Sequence, residues 1–87
     1  MKIKKNFVLR QVADTWVVLP LGDASISFDG MIKLNETSVL LWKALEKGCS
    51  REDLAKCLTD EYDVSYEKAL KDADAFVQKL LPVGCIE

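Results

Sequence analysis

The chain has 87 residues, with twelve basic and fourteen acidic side chains and a mean hydropathy close to zero. Because 49% of its residues are apolar, the composition excludes a disordered chain. No segment approaches the roughly 20 apolar residues that span a bilayer, and the N-terminus lacks the apolar stretch of a signal peptide. We expect one cytoplasmic domain over 1–87, with residues 1–6 flexible.

A β-hairpin is predicted at the start of the chain. Residues 7–12 and 16–19 are rich in β-branched and aromatic side chains, and residues 13–15 form a short connection between them. Pro20 ends the second strand, because proline cannot donate a hydrogen bond to a ladder. Residues 25–28 are too short and too polar a run to predict a further strand.

A third strand is predicted at residues 31–34. Strand side chains alternate between faces, so Ile32 and Leu34 are expected to face the core. Met31 and Lys33 then face outward or towards a ligand. The competing interpretation is a connector whose residues only pack.

Three helices are predicted after this strand, each with a capping signal. Asn35 caps a first helix over 36–47, and Gly48 supplies the left-handed residue that ends it. Ser50 caps a second helix, and Ser65 caps a third over 66–81. The central residues of the third helix's apolar stripe are expected to lie in the core: Ala69, Ala73, Val77 and Leu80.

Two flanks border the apolar stripe of the third helix. One carries Asp72, Phe76 and Lys79, and the other carries Asp74, Gln78 and Leu81. Either flank could line a groove, or both could be ordinary solvated surface. We expect structural roles for Trp16 and Trp42, and Ile86 could cover the base of the core if the tail folds back.

The chain has three cysteines and no histidine. Cys49, Cys57 and Cys85 are odd in number and lack Cys-x-x-Cys spacing, so we expect reduced thiols and no metal site. Cys49 lies near Arg51 at a helix start and is the thiol whose pKa these surroundings could lower. With no base nearby in sequence, neither enzyme activity nor a cofactor is expected.

Several short segments together resemble one family. These are residues 16–20, residues 30–37 followed by Leu41-Trp42, residues 61–64 before the last helix, and finally Asp72, Phe76, Leu80 and Ile86-Glu87. Their order and spacing, over residues 7–87, are similar to those of PqqD-like proteins. These are RiPP recognition elements, small peptide-recognition domains associated with the maturation of ribosomally made peptides.

The resemblance implies an α+β fold in which a three-stranded antiparallel β-sheet is followed by three α-helices in a winged-helix-like arrangement. It also implies that the leader segment of a precursor peptide docks in a groove between the third strand and the third helix. There the leader would be presented to a maturation enzyme, often a radical-SAM maturase. The expected peptide-binding residues are Met31, Ile32, Lys33, Leu34, Ala69, Asp72, Phe76 and Lys79.

An added peptide strand is expected to form about three to five backbone hydrogen bonds, each contributing about 0.5–1.5 kcal/mol. Apolar anchors of the peptide would have to supply the remaining affinity. The protein would act as a monomer or a homodimer, because an unpaired strand edge also allows self-association.

Two other functions fit the same elements. A winged-helix DNA-binding protein is disfavoured, because Lys68, Lys71 and Lys79 on the third helix are matched by three acidic residues. The segment from Asn35 onward also has eleven acidic and seven basic side chains, which disfavours nucleic acid as a partner. The other alternative is a purely structural subunit of a maturase complex.

Overall fold

The computed structural model describes residues 1–22 and 32–87, and in these it shows three strands followed by three helices. The elements are β1 (Phe7–Val12), β2 (Thr15–Pro20), β3 (Ile32–Leu34), α1 (Glu36–Lys47), α2 (Arg51–Glu61), α3 (Tyr66–Leu80) and a 3-10 turn (Leu81–Val83). The predicted α+β class, with an antiparallel sheet before three helices, is therefore confirmed. Met31 and the segment 25–28 lie outside the described residues.

The sheet has the order β1-β2-β3, and both neighbouring pairs are antiparallel. Strand β2 is longer than predicted, because Thr15 pairs with Val12 and Pro20 still lies opposite Phe7. The third helix ends one residue early, at Leu80, since the chain tightens into the 3-10 turn at the following proline.

All three predicted N-caps are present. The Asn35 side chain accepts a hydrogen bond from the backbone N–H of Ser38, at 2.8 Å. Ser50 and Ser65 cap α2 and α3 in the same way. Gly48 ends α1 with a positive φ of 87°, a conformation that glycine adopts without steric cost.

The core lies between the sheet and the helices. Trp42, Leu45, Leu54 and Leu80 are fully buried there, and Ile32 packs against the cluster that contains Leu34. The structural role predicted for Trp42 is thus confirmed. No helix within residues 1–22 and 32–87 is long and apolar enough to cross a bilayer.

The N-terminal segment, which was expected from the sequence to be flexible, lies against the domain in the structure. Ile3 is only 5% exposed, and it forms an antiparallel bridge with Ile86. The Ile3 N–H donates to the carbonyl of Leu45 at 3.1 Å, and the Lys4 N–H donates to that of Cys85 at 2.8 Å. The segment therefore joins the end of α1 to the tail, which folds back.

Candidate functional site

Strand β3 forms one edge of the sheet, since it pairs only with β2 among the described residues. An edge strand presents backbone N–H and C=O groups that an extended peptide can pair with. Which groups point outward depends on the register, because antiparallel strands alternate between hydrogen-bonded and non-bonded residue pairs.

The β1–β2 hairpin sets this alternation. The Leu21 N–H donates to the Asn6 carbonyl at 2.7 Å, so every second pair from there, up to Val12 with Thr15, is hydrogen-bonded. The intervening residues of β2 therefore direct their backbone groups towards β3. Since Val17 belongs to the β1-directed set and lies opposite Lys33, the N–H and C=O of Lys33 point away from the sheet.

Lys33 thus supplies the outward-facing backbone pair within β3. Ile32 and Leu34, on either side, direct their backbone groups to β2. Beyond the strand, the Asn35 carbonyl already accepts from the Val39 N–H at 2.9 Å. Within the described residues, β3 therefore offers a ligand the two backbone groups of Lys33.

The opposite edge of the sheet is partly capped. The Arg10 guanidinium donates to the Leu9 carbonyl, one residue back along β1, at 3.0 Å. Leu9 belongs to the set whose backbone groups point away from β2, so this bond occupies an outward acceptor. A charged side chain of this kind is a common way of protecting an edge strand from pairing.

A cleft of about 370 Å³ lies between α3 and the junction of β3 with α1. It is lined by Asn35, Thr37, Ser38, Leu41, Asp72, Ala75, Phe76 and Lys79. The four α3 residues follow the pattern i, i+3, i+4 and i+7, so they share one helical face. Phe76 is 6% exposed and belongs to the core cluster, whereas Asp72 and Lys79 are exposed on either side of it.

The expected peptide-binding residues lie in different parts of the structure. Asp72, Phe76 and Lys79 lie together in the cleft, and Lys33 is exposed on the edge strand. Ile32 and Leu34 face the core, as the strand alternation predicted. Ala69 is fully buried and has no surface to contact a ligand, and Met31 lies outside the described residues.

Part of the cleft lining was not expected from the sequence, because it comes mainly from the start of α1. Asn35, Thr37, Ser38 and Leu41 approach α3 only through the tertiary fold. Ala75 could have been found, because it lies three residues after Asp72 and four before Lys79 on the same helical face.

The two flanks of α3 differ in their ion pairs. Asp74, on the other flank, forms a 2.9 Å ion pair with Arg51 at the start of α2. That flank is therefore turned towards a neighbouring helix. On the cleft side, the Asp72 carboxylate lies 3.5 Å from the Lys68 ammonium, and Lys79 has no ion pair within the described part of the chain.

The surroundings of Cys49 differ from the sequence-based expectation. Burial, and then the negative charge of Asp53, raise the pKa of the Cys49 thiol instead of lowering it. The lowered pKa that the nearby Arg51 suggested for this thiol is therefore not observed. Among residues 1–22 and 32–87, no group of three or more histidine, cysteine or acidic side chains is placed to hold a metal ion.

Comparison with known proteins identifies the family. A family model described as coenzyme PQQ synthesis protein D (PqqD) matches residues 15–86. The chain belongs to the PqqD family. The match begins at β2 and reaches the tail, so it includes the edge strand and every residue that lines the cleft. No curated protein matches the chain.

Two solved structures share the fold of this PqqD-family chain. "TbiB1 in complex with the TbiA(beta) leader peptide" is 24% identical and has a TM-score of 0.79 over 100% of this chain and 95% of the other. "Lasso peptide synthetase B1 complexed with the leader peptide" is 28% identical and has a TM-score of 0.74 over 93% of this chain and 89% of the other. At 24% identity, the similarity to the TbiB1 structure shows a shared fold alone.

Proposed function

We propose that this PqqD-family protein is a non-enzymatic adaptor that binds the leader segment of a ribosomally synthesised precursor peptide. The leader pairs with β3 as an added strand and is presented to a maturation enzyme, of the radical-SAM type, in the cytoplasm. One observation carries the proposal: the outward backbone pair of Lys33 lies on the edge strand that leads directly into the α3 cleft. The two similar structures were both solved with leader peptides, which supports the same ligand class.

Contacts of the peptide's side chains have to supply most of the binding free energy. Two backbone hydrogen bonds contribute only about 1–3 kcal/mol in total. Micromolar binding requires about 8 kcal/mol, even before the entropy of ordering the peptide is considered. The cleft beside Phe76 must therefore bury apolar side chains of the peptide, at about 25 cal/mol for each Å² removed from water.

The charges of α3 support a peptide over a nucleic acid as the ligand. Of the three lysines of α3, Lys68 faces Asp72, which leaves only Lys71 and Lys79 without an ion pair among the described residues. The acidic Asp74 on the same helix is paired with Arg51 of α2. A phosphate backbone needs several unpaired cations along one face. The cleft instead carries one acidic and one basic side chain on either side of an aromatic ring, which suits a mixed peptide sequence.

Replacing Lys33 with proline tests strand addition. Proline removes the one outward N–H while leaving the β2–β3 ladder intact, and edge strands tolerate it where the N–H faces solvent. We expect the substitution to weaken binding of a fluorescent leader peptide, from a precursor encoded beside this gene, by roughly tenfold, because a hydrogen bond is lost and the added strand is displaced. Fluorescence anisotropy titration measures the change.

The matched control is Gln11→Pro, which removes an outward N–H from the opposite edge. Gln11 lies opposite Trp16 in a non-bonded pair and is exposed, so its backbone position mirrors that of Lys33. Leader binding should survive this change. Equal losses in the two variants, or no binding by the unmodified protein, would exclude strand addition at β3 and favour a purely structural role.

A further inference from the structure

A second depression adjoins the cleft, at the corner between α2 and α3. It has a volume of about 190 Å³ and is lined by Thr37, Leu58, Tyr62, Val64 and Asp72. Thr37 and Asp72 also line the first cleft, so the two depressions meet at these side chains. Together they form a continuous path from the end of β3, past Asp72, to the α2–α3 corner.

The α2–α3 corner is shaped by the backbone. The Tyr62 N–H donates to the Leu58 carbonyl at 2.9 Å, and Tyr62 itself is extended, so α2 ends there. Two residues later, the Val64 N–H donates back to the Tyr62 carbonyl at 3.0 Å. Leu58, Tyr62 and Val64 of this corner line the depression, and Leu58 is the most buried of the three.

The depression exposes apolar surface at its mouth. Tyr62 remains 40% exposed, whereas Leu58 beneath it is only 2% exposed. Such a site can bury an incoming aliphatic or aromatic side chain against a largely preformed wall. Its polar groups are those of Thr37 and Asp72, on the side that it shares with the first cleft.

We propose that this depression is a second anchor site for the same bound peptide, an inference that rests on the proposed function. Strand β3 ends at Leu34, and the chain then turns into α1. A peptide paired with β3 that continues past this end runs between the first turn of α1 and α3, where Thr37 and Asp72 are the walls. Its next inward-facing apolar side chain enters the depression of Leu58, Tyr62 and Val64.

The charge of Asp72 further defines the ligand. This carboxylate stands where the two depressions meet, and only Lys68, at 3.5 Å, offsets it among the described residues. The peptide side chain between the two anchors therefore faces an acidic group. We infer a ligand with two apolar anchors separated by a basic or neutral residue, because an acidic residue there would be repelled.

A ring-removal experiment tests the second anchor site. The probe is a fluorescent peptide enriched on this protein from a displayed random library. We expect Tyr62→Ala to weaken its binding by roughly tenfold, because an apolar contact area is lost. Tyr62→Phe should restore binding, since the ring and not the hydroxyl forms the wall. Replacing the second apolar residue of the peptide with alanine should remove the effect of Tyr62→Ala.

Tyr66→Ala is the matched control. Tyr66 is 47% exposed and belongs to the same interhelical corner, yet it lines neither depression. We therefore expect Tyr62→Ala, and not Tyr66→Ala, to weaken binding of the fluorescent peptide. Circular dichroism of each variant confirms that the fold is retained.

The Lys33→Pro variant separates this inference from the proposed function. If it weakens the probe while Tyr62→Ala does not, the second anchor site is overturned and strand addition stands. If Tyr62→Ala and Tyr66→Ala weaken the probe equally, the anchor site is also overturned. Failure to enrich any peptide, or a probe insensitive to Lys33→Pro, counts against strand addition and the anchor site together.

Discussion

Ala13 has a backbone conformation that L-residues rarely adopt. It stands in the two-residue turn between Val12 and Thr15 with a φ of 56°. The side chain of a non-glycine residue in this region crowds the following carbonyl, at a cost of about 1–2 kcal/mol. We expect Ala13→Gly to raise the free energy of unfolding by about 1 kcal/mol, despite the greater freedom of glycine in the unfolded chain. Urea unfolding measures this change.

Asp14 provides the control in the same turn. Its φ is not positive, so Asp14→Gly relieves no strain and only makes the unfolded chain more flexible. That variant should be slightly less stable than the parent protein. If both glycine substitutions lower stability, the strain attributed to Ala13 does not exist.

The first turn of α2 depends on a reciprocal pair of hydrogen bonds. The Ser50 N–H donates to the Asp53 carboxylate, and the Asp53 N–H donates to the Ser50 hydroxyl, both at 3.1 Å. The hydrogen bond from the Ser50 backbone, and then the one with the Ser50 side chain, lower the pKa of Asp53 below its ordinary value of 3.8. Ionised Asp53 therefore stabilises the folded state above that value, and this contribution is lost as the pH falls through the lower folded-state pKa.

We expect Asp53→Asn to be less stable than the parent protein at neutral pH, with a difference that shrinks as the pH falls below about 3.8. Thermal unfolding across a pH series measures it. Glu52→Gln removes a negative charge from the same helical turn without breaking a capping bond, so it isolates the effect of the helix dipole. A difference for Asp53→Asn that is constant with pH would contradict the assigned role of its charge.

At the scale of the whole molecule, the two chain ends stabilise one another. Ile3 is buried beside Ile86, and the Glu87 N–H donates to the Lys2 carbonyl at 2.8 Å. We expect Ile3→Ala to lower the free energy of unfolding by about 2–4 kcal/mol, as for other large-to-small core substitutions. Chemical denaturation measures this loss.

Lys5→Ala serves as the control, because Lys5 is exposed in the same segment. Its effect should stay within about 0.5 kcal/mol. Hydrogen exchange gives an independent measurement, since the amides of Lys4 and Glu87 should be protected if the ends are joined. If Ile3→Ala changes the free energy of unfolding only slightly and the Lys4 and Glu87 amides exchange rapidly, the terminus is flexible, as predicted from the sequence.

Local signals predicted most of the fold. The caps at Asn35, Ser50 and Ser65 lie in the sequence immediately before the helices they begin, so their effect can be read without tertiary information. The packing of Ile3 could not be predicted in this way. Its partners, Leu45 and Ile86, are far away along the chain, and no local pattern in the first residues specifies them.

The sequence by itself determined the order of strands and helices, their capping residues and the apolar face of each element, because these depend on neighbours within a few positions. Only the tertiary structure decided that Lys33 presents its backbone outward, because the register across β1, β2 and β3 fixes that direction. It likewise decided that Asp74 faces α2 while Asp72 faces the cleft. Both outcomes depend on how separate elements pack, and side chains distant in sequence set that packing.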